Sequence, residues 1–189
     1  MKSTERDALL AAVEKLSPGT IRDLFDGYLP FDEHTRKLGS NPRPKSILAL
    51  KGDADRGEKL FWSTALNCGS CHKIGDKGTV VGPDLSTIGK LRGREDLLES
   101  ILEPSRRIEP KYSAYMVQTT DGRGLTGLLV KRDASEVVLR DAQNKEIVVA
   151  AKEIETLQPS RISLMPAGQM AGLTAQEAAD LLEYLATRK

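Results

Sequence analysis

The stretch Cys68-Gly69-Ser70-Cys71-His72 contains both cysteines of this 189-residue chain. Its C-x-x-C-H spacing is typical of covalent haem c attachment. Two thiolates separated in this way can add to the two vinyl groups along one edge of a porphyrin. The next residue then lies below the iron, where a neutral imidazole is a suitable ligand. The motif therefore predicts one haem c, attached through Cys68 and Cys71, with His72 as an iron ligand.

Two other uses of a C-x-x-C pair fit the chain less well. A thioredoxin-like pair opens a helix after a strand, whereas the residues that precede Cys68 have a helical pattern. A structural zinc site needs four ligands, and outside the motif the chain offers only the distant His34 as a further Cys or His ligand. His34 lies in the polar segment 32–36, which is more typical of a solvated surface histidine.

The composition excludes several classes of protein. The chain has 28 Lys and Arg against 27 Asp and Glu, so no polybasic footprint for nucleic acid is expected. No apolar run approaches the roughly 18 residues of a membrane span. A hydrophobic fraction of 39% is enough for a core, although aromatic residues make up only 4%. These values argue against a membrane protein, a disordered chain and a disulfide scaffold.

The residues before the motif predict a helix with a closely packed partner. Asp53 is a candidate N-cap for a helix over about 54–64, in which Gly57 and Phe61 share one face. Because glycine lowers helix stability, its presence at this position indicates the close approach of another helix.

The far end of the chain supplies that partner helix. Thr174-Ala175-Gln176-Glu177 is a capping box that opens a helix to about Thr187. The apolar face of this helix contains Ala178, Leu181, Leu182 and Leu185, with Tyr184 beside it. The two helices around the haem motif resemble the helix pair of class I cytochromes c.

Met165 is the preferred candidate for the second axial ligand. It lies in Ser163-Leu164-Met165-Pro166, and Pro166 disfavours a helical backbone at Met165, so the thioether can be presented from a fixed loop. The alternatives are Met170, Met116, Met1 and His34, or an open position.

The segment Gly82-Pro83-Asp84-Leu85 reads as a rigid turn that adds Pro83 and Leu85 to the haem-binding candidates. The Pro83 carbonyl could accept a hydrogen bond from Nδ1–H of His72 and fix the ring. An ordinary turn proline is the other interpretation.

Between His72 and Met165 the sequence changes its periodicity. A helix is predicted over about 94–103, ended by Pro104. The residues that follow predict short antiparallel strands over about 113–120, 125–132, 136–140 and 146–150. We interpret them as a small β-sheet inserted at about 112–158.

The first fifty residues predict a separate helical extension. One helix contains Leu9 to Leu16, a second covers about 21–29, and Asn41-Pro42-Arg43-Pro44 reads as a linker. The expected organisation is an extension at 1–50 followed by a cytochrome c domain at 51–189. The expected fold class is mainly α: a class I cytochrome c-like helical fold with a β insertion and an N-terminal extension.

Several motifs together resemble the c-type haem domain of planctomycetes, verrucomicrobia and related bacteria, which is usually C-terminal in large secreted proteins. The matching stretches are Ile21–Phe25, Ile47–Asp53, Cys68–Ile74, Gly82–Leu85, Ile101–Ser105, Thr126–Leu129 and Ser163–Pro166. The resemblance covers roughly residues 20–189. It implies covalent haem c, with His72 and Met165 at the ligand positions, and often a fused dehydrogenase-like module, which this chain does not contain.

The expected function is electron transfer from a dehydrogenase-type donor, in trans or fused, to a redox partner, rather than catalysis. His/Met ligation closes both axial positions and raises the potential relative to bis-His ligation. A basic collar that would steer an acidic partner is predicted from Lys73, Lys77, Lys90, Arg92 and Arg94. Cytochromes c mature outside the cytoplasm, so a periplasmic or otherwise exported location is expected, although no signal-peptide pattern is visible at Met1–Arg6.

Two other functions remain open from the sequence. The first is a haem-based sensor or peroxidase in which the sixth position is open or labile. The second is a structural module in which the haem holds a docking domain together.

Overall fold

The computed structural model describes residues 3–16, 24–25, 28 and 36–189. Met1, His34 and most of the helix predicted over 21–29 lie outside these residues. The described helices are α1 (Ser3–Glu14), α2 (Pro44–Leu48), α3 (Ala54–Phe61), α4 (Ile88–Leu91), α5 (Arg94–Leu102) and α6 (Ala175–Ala186). Single 3₁₀ turns cover Cys68–Ser70, Pro110–Tyr112 and Ala151–Glu153.

Helices α3 and α6 cross at Gly57. A Cβ atom at this position would lie 2.0 Å from the carbonyl oxygen of Asp180 and 2.8 Å from Cβ of Tyr184. Only glycine therefore permits this crossing, and the close helix contact predicted from Gly57 is confirmed. One turn further on, the ring centroids of Phe61 and Tyr184 are 5.6 Å apart.

Both caps predicted for this helix pair are present. The Asp53 side chain accepts from Arg56 N, and Thr174 and Glu177 form a reciprocal capping box. Helix α3 ends at Phe61, before the predicted Thr64. The hydroxyl of Ser63 donates to the Leu60 carbonyl, which offers the backbone an alternative to a further helical turn.

A buried carboxylate joins the two helices at their polar end. Only 2% of Asp180 is exposed. Its oxygens accept from Asp53 N at 2.8 Å, Arg56 Nε at 2.6 Å and Gln176 Nε2 at 2.9 Å. Burial raises the pKa of Asp180, but these hydrogen bonds and the charge of Arg56 outweigh it, so the net pKa lies below the usual aspartate value. The carboxylate therefore stays ionised in the folded protein at neutral pH.

The main apolar core surrounds this helix pair and includes residues on both sides of the predicted domain boundary. Ile47 and Leu50 pack in one cluster with Phe61, Leu98 and Leu182. The assignment of residues 1–50 to a separate extension stays a prediction. Among the described helices, none combines the length and the apolar character needed to cross a membrane.

The second half of the fold is an antiparallel sheet. Its strands are β3 (Ala114–Thr119), β4 (Gly124–Arg132), β5 (Glu136–Arg140), β6 (Glu146–Ala150) and β7 (Ile154–Pro159), in the spatial order β6-β5-β4-β3-β7. A two-stranded ribbon, β1 (Lys73–Ile74) and β2 (Lys77–Gly78), follows the haem motif. The four strands predicted from the sequence are confirmed, and β7 adds a fifth.

The sheet has an apolar cluster of its own. Val117, Val137, Leu139 and Val149 are buried together, apart from the core of the helices. A sheet of five strands with its own core makes the described fold a mixture of helix and sheet, so the expectation of a mainly α fold is not confirmed. The Leu- and Val-rich runs in β4 and β5 indicated strands, but they did not indicate a sheet of five strands with its own apolar cluster.

Candidate cofactor site

The C-x-x-C-H motif follows α3 as a tight turn. Asn67 has a left-handed backbone with φ of +50°, and the amides of Cys71 and His72 both donate to the Cys68 carbonyl, at 3.1 and 2.9 Å. Gly69 lies against the indole of Trp62, since a Cβ atom there would be 2.4 Å from Cζ3 of that ring. The turn therefore brings both thiols and the histidine into one compact unit.

The two cysteines are half-buried and not joined in a disulfide. Burial raises the pKa of Cys68 to about 11, although a backbone hydrogen bond opposes this shift. A reactive redox pair of the thioredoxin type has a lowered thiol pKa instead. The environment of Cys68 thus gives no support to that alternative.

His72 is fixed by the turn at Pro83. Its Nδ1 lies 2.9 Å from the Pro83 carbonyl oxygen; because a carbonyl only accepts, Nδ1 carries the proton and Nε2 keeps its lone pair. Burial lowers the pKa of His72, and the Pro83 hydrogen bond opposes this only in part. A Cβ atom at Gly82 would lie 2.6 Å from Cε1 of the ring, so Gly82 is needed for the close fit.

All six residues predicted to bind the cofactor line the same cavity, which has a volume of about 450 Å³. This volume is within the ~300–1,000 Å³ typical of cofactor sites. They are Cys68, Cys71, His72, Pro83, Leu85 and Met165. Apolar side chains from helices, loops and the sheet, among them Ile88, Ile101 and Leu181, form much of the remaining wall.

The candidate methionine ligands occupy different environments. Met165 is half-buried at the cavity, in the loop between β7 and α6, and its amide donates to Ser163 Oγ. Met170 also lines the cavity but is only 1% exposed, within the main core. Met116 is 41% exposed on β3 and is not among the lining residues. The geometry thus leaves two described methionines beside the cavity.

Sequence reasoning missed several residues at this cavity. Leu128 on β4 and the residues Ala142 and Gln143 in the β5–β6 turn line it. The Ala142 carbonyl oxygen lies 3.8 Å from Cys71 Sγ. Nothing in the local sequence of an exposed hairpin turn indicates such a contact, because it depends on how the sheet packs against the helical part.

The predicted basic collar is divided between structural and exposed roles. Arg94 donates to Glu183 and to the Leu50 carbonyl, and Arg92 pairs with Glu109 at 3.2 Å. Lys77 and Lys90 are exposed. Arg94 therefore serves the fold rather than a steering surface.

The residues at the cavity fit a covalently attached haem. Two thiols and an imidazole with a free Nε2 lone pair lie in one turn, and the wall beyond them is largely apolar. Close approaches at Gly69 and Gly82 leave the motif no space for larger side chains. A flat, mostly apolar macrocycle with a metal that binds imidazole matches this donor set.

Comparison with known proteins agrees with this fit. The family model described as Cytochrome c matches residues 54–126. A "Cytochrome c-553-like" protein of Synechocystis sp. (strain ATCC 27184 / PCC 6803 / Kazusa) is 34% identical over 77 residues, which cover 39% of this chain and 70% of the relative. The chain belongs to the cytochrome c family. As a cytochrome c it carries covalent haem c and has an electron-transfer role, and both cysteines lie within the matched segment.

The family match defines only part of this cytochrome c. It begins at Ala54, the first residue of α3, and ends at Thr126, inside β4. The rest of the sheet, the Met165 loop and α6 lie beyond it. Their contribution to the site is therefore inferred from the structure of this chain alone.

Proposed function

We propose that the chain is a single-haem electron carrier in which Cys68 and Cys71 form the thioethers and His72 and Met165 bind the iron. The observation that carries the proposal is that one cavity is lined both by the haem motif and by Met165. The motif residues Cys68, Cys71 and His72 precede the five-stranded sheet in the chain, and Met165 follows it. A cavity with an imidazole and a thioether on its wall suits six-coordinate iron.

Each proposed residue has a distinct task. Pro83 holds the His72 ring through its carbonyl, which fixes the tautomer and directs Nε2 into the cavity. Leu85 contributes apolar surface that excludes water. Met165 is presented from a loop stabilised by Pro166 and by the hydrogen bond that the Met165 backbone amide donates to Ser163 Oγ. The bound haem supplies one-electron chemistry, while the protein supplies a fixed, mostly apolar environment.

Met165 is preferred over Met170 because of how the two side chains are held. Met170 is part of the packed core around the α3–α6 pair, where filling space is the usual role of methionine. Met165 is outside that cluster and packs less tightly, so it can reach the iron without leaving a hole in the core.

The biological setting proposed from the sequence remains the same. We expect an electron donor of the dehydrogenase type, whether a separate protein or a fused module, and a redox protein as the acceptor. The resemblance to the planctomycete and verrucomicrobial haem domains supports the fused arrangement and an exported location. The proposed domain organisation is a helical extension at 1–50 and a cytochrome c domain at 51–189, with the sheet as an insertion at about 112–158.

The test is optical spectroscopy of haem-loaded Met165→Ala, Met170→Ala and Met116→Ala. Methionine bound to ferric iron gives a weak long-wavelength absorbance band. We expect Met165→Ala to lose this band and to bind carbon monoxide readily when reduced, whereas Met116→Ala keeps the native spectrum. Loss of the band in Met170→Ala but not in Met165→Ala would assign the ligand to Met170. Ready carbon monoxide binding by the unaltered protein would favour a sensor or peroxidase.

A further inference from the structure

Among the hairpin turns of the large sheet, the β5–β6 turn is the one that reaches the cofactor cavity. This β5–β6 turn, residues 141–145, places Ala142 and Gln143 on the cavity wall, and the Ala142 carbonyl oxygen is 3.8 Å from Cys71 Sγ. From the body of the sheet, Leu128 on β4 also lines the cavity. The sheet thus borders the cavity on the side of the second cysteine.

The β5–β6 turn is held in one conformation. Asp141 Oδ1 accepts from the amides of Gln143 and Lys145 at 2.9 and 2.8 Å. Asn144 has a left-handed backbone with φ of +61°, which asparagine tolerates better than most residues. These bonds fix Ala142 and Gln143 relative to the strands, so the contact with Cys71 does not depend on a mobile loop.

The body of the sheet supports this position. Strands β4 and β5 approach closely at Gly127, where a Cβ atom would lie 2.6 Å from the Arg140 carbonyl oxygen. Arg140 and Glu146 are the first paired residues of β5 and β6 after the turn, and Arg140 Nη2 lies 2.9 Å from Glu146 Oε1. The buried Leu139, next to Arg140, anchors β5 in the apolar cluster of the sheet.

A second turn of the same sheet provides an internal comparison. In the β4–β5 turn, Asp133 Oδ1 accepts from the amides of Ser135 and Glu136 at 2.8 and 3.0 Å. This turn is built like the β5–β6 turn, yet none of its residues lines the cavity. Contact with the cofactor cavity is therefore a property of the β5–β6 turn and not of hairpins in this sheet generally.

On the basis of the proposed function, we infer that the β5–β6 turn is a cover for the haem edge at Cys71 and raises the reduction potential of the haem by excluding water there. Oxidised iron carries more positive charge than reduced iron and gains more from nearby water. Excluding water from the edge therefore disfavours the oxidised form. Asp141 is a positioning residue in this role, because it acts by holding Ala142 and Gln143.

The first experiment measures the midpoint potential and haem content of Asp141→Ala, with Asp133→Ala as the matched control. Both variants lose the carboxylate that anchors a hairpin turn. We expect Asp141→Ala to lower the potential and Asp133→Ala to leave it unchanged. Asp141→Asn keeps an acceptor oxygen at the same position and should restore most of the potential. Equal potentials for Asp141→Ala and Asp133→Ala would overturn the inference.

A second experiment tests whether the β5–β6 turn lies near the haem, by comparing the potentials of charge variants at exposed positions. Gln143 and Ala134 are exposed residues in the β5–β6 and β4–β5 turns. If the β5–β6 turn covers the haem edge, Gln143→Glu will have a lower potential than Gln143→Lys, because a nearby negative charge stabilises the oxidised iron and a nearby positive charge destabilises it. Ala134→Glu and Ala134→Lys should differ much less. An equal difference at both positions would contradict the inference.

Haem content distinguishes a failure of the proposed function from a failure of the role proposed for the β5–β6 turn. A matured protein that carries no covalent haem would refute the proposed function itself. A protein that carries haem and shows the methionine band, but whose potential is insensitive to both positions, would refute only the role of the turn.

Discussion

The helix pair around the haem motif and the five-stranded sheet are built on different kinds of information. The α3–α6 crossing depends on one glycine and two caps, which are visible as local patterns in the sequence, and on the buried carboxylate of Asp180, which only the structure reveals. The sheet depends on pairing between strands and on a separate apolar cluster of Val117, Val137, Leu139 and Val149. The comparison shows that the haem-bearing part is specified by single residues, whereas the sheet is specified by register and shared burial.

The largest expected effect tests whether the two regions are separate cores. Leu182 in α6 and Leu139 in β5 are both fully buried. Replacement of either leucine by alanine should lower the free energy of unfolding by about 3–5 kcal/mol through lost burial and a cavity. We expect Leu182→Ala to shift the unfolding transition seen by haem absorbance. Leu139→Ala should shift mainly the transition of the sheet seen by circular dichroism.

Haem absorbance and circular dichroism should therefore be followed in the same denaturant titration. If Leu139→Ala shifts the haem transition as far as Leu182→Ala does, the two apolar clusters unfold as one unit. That result would contradict the view that the helices and the sheet have separate cores.

Gly57→Ala tests the helix crossing. The added Cβ atom would meet the Asp180 backbone at 2.0 Å, so the helices must separate. Overpacking of this kind should cost about 3 kcal/mol. Gly172→Ala is the matched control, because a Cβ atom there meets nothing within 4 Å. Similar unfolding midpoints for these two variants would show that α3 and α6 do not need the close contact.

Asp180→Asn tests the polar end of the same crossing and its dependence on pH. Loss of the charged acceptor for Arg56 should cost about 2 kcal/mol at neutral pH. The pKa of Asp180 is lowered in the folded protein, so its stabilising contribution is complete above the ordinary aspartate pKa of about 3.9. It decreases as the pH falls through the lower folded-state pKa.

The measurement is the difference in unfolding free energy between the native protein and Asp180→Asn as a function of pH. The difference should be constant near neutral pH and shrink in acid. A difference that grows as the pH falls would have the wrong sign for this account.

The smallest effect concerns the aromatic contact beside the motif. Trp62 Nε1 donates to the Tyr184 hydroxyl at 3.3 Å, a bond expected to contribute about 1 kcal/mol. A double-mutant cycle of Trp62→Phe and Tyr184→Phe isolates this contribution from the packing of the indole on Gly69. Strictly additive effects of the two substitutions would show that the hydrogen bond does not stabilise the fold.

The local origin of these interactions explains what the sequence could predict. Asp53, Gly57 and the Thr174–Glu177 box each act within one turn of helix or at one contact, so their patterns predicted the caps and the crossing. The first four strands of the large sheet were predicted from their residue types and turns. Strand β7 was not, because Ile154–Pro159 carries little apolar alternation and forms by pairing with β3.

The candidate site shows the same division. Cys68, Cys71 and His72 are adjacent, so chemistry and spacing predicted them directly. Pro83 and Leu85 lie in a nearby turn, where spacing alone also allowed an ordinary turn proline. The contact of Ala142 with Cys71 joins residues that are distant in the sequence, and only the packing of the sheet against the helices brings them together. The same limit applies to the choice between Met165 and Met170, since both line the cavity.

The most direct test of the central claim is the intact mass of the protein after expression with a cytochrome c maturation system. We expect the mass of the polypeptide plus one haem, with neither Cys68 nor Cys71 available to an alkylating reagent. A mass equal to the polypeptide alone, with both thiols free, would contradict it.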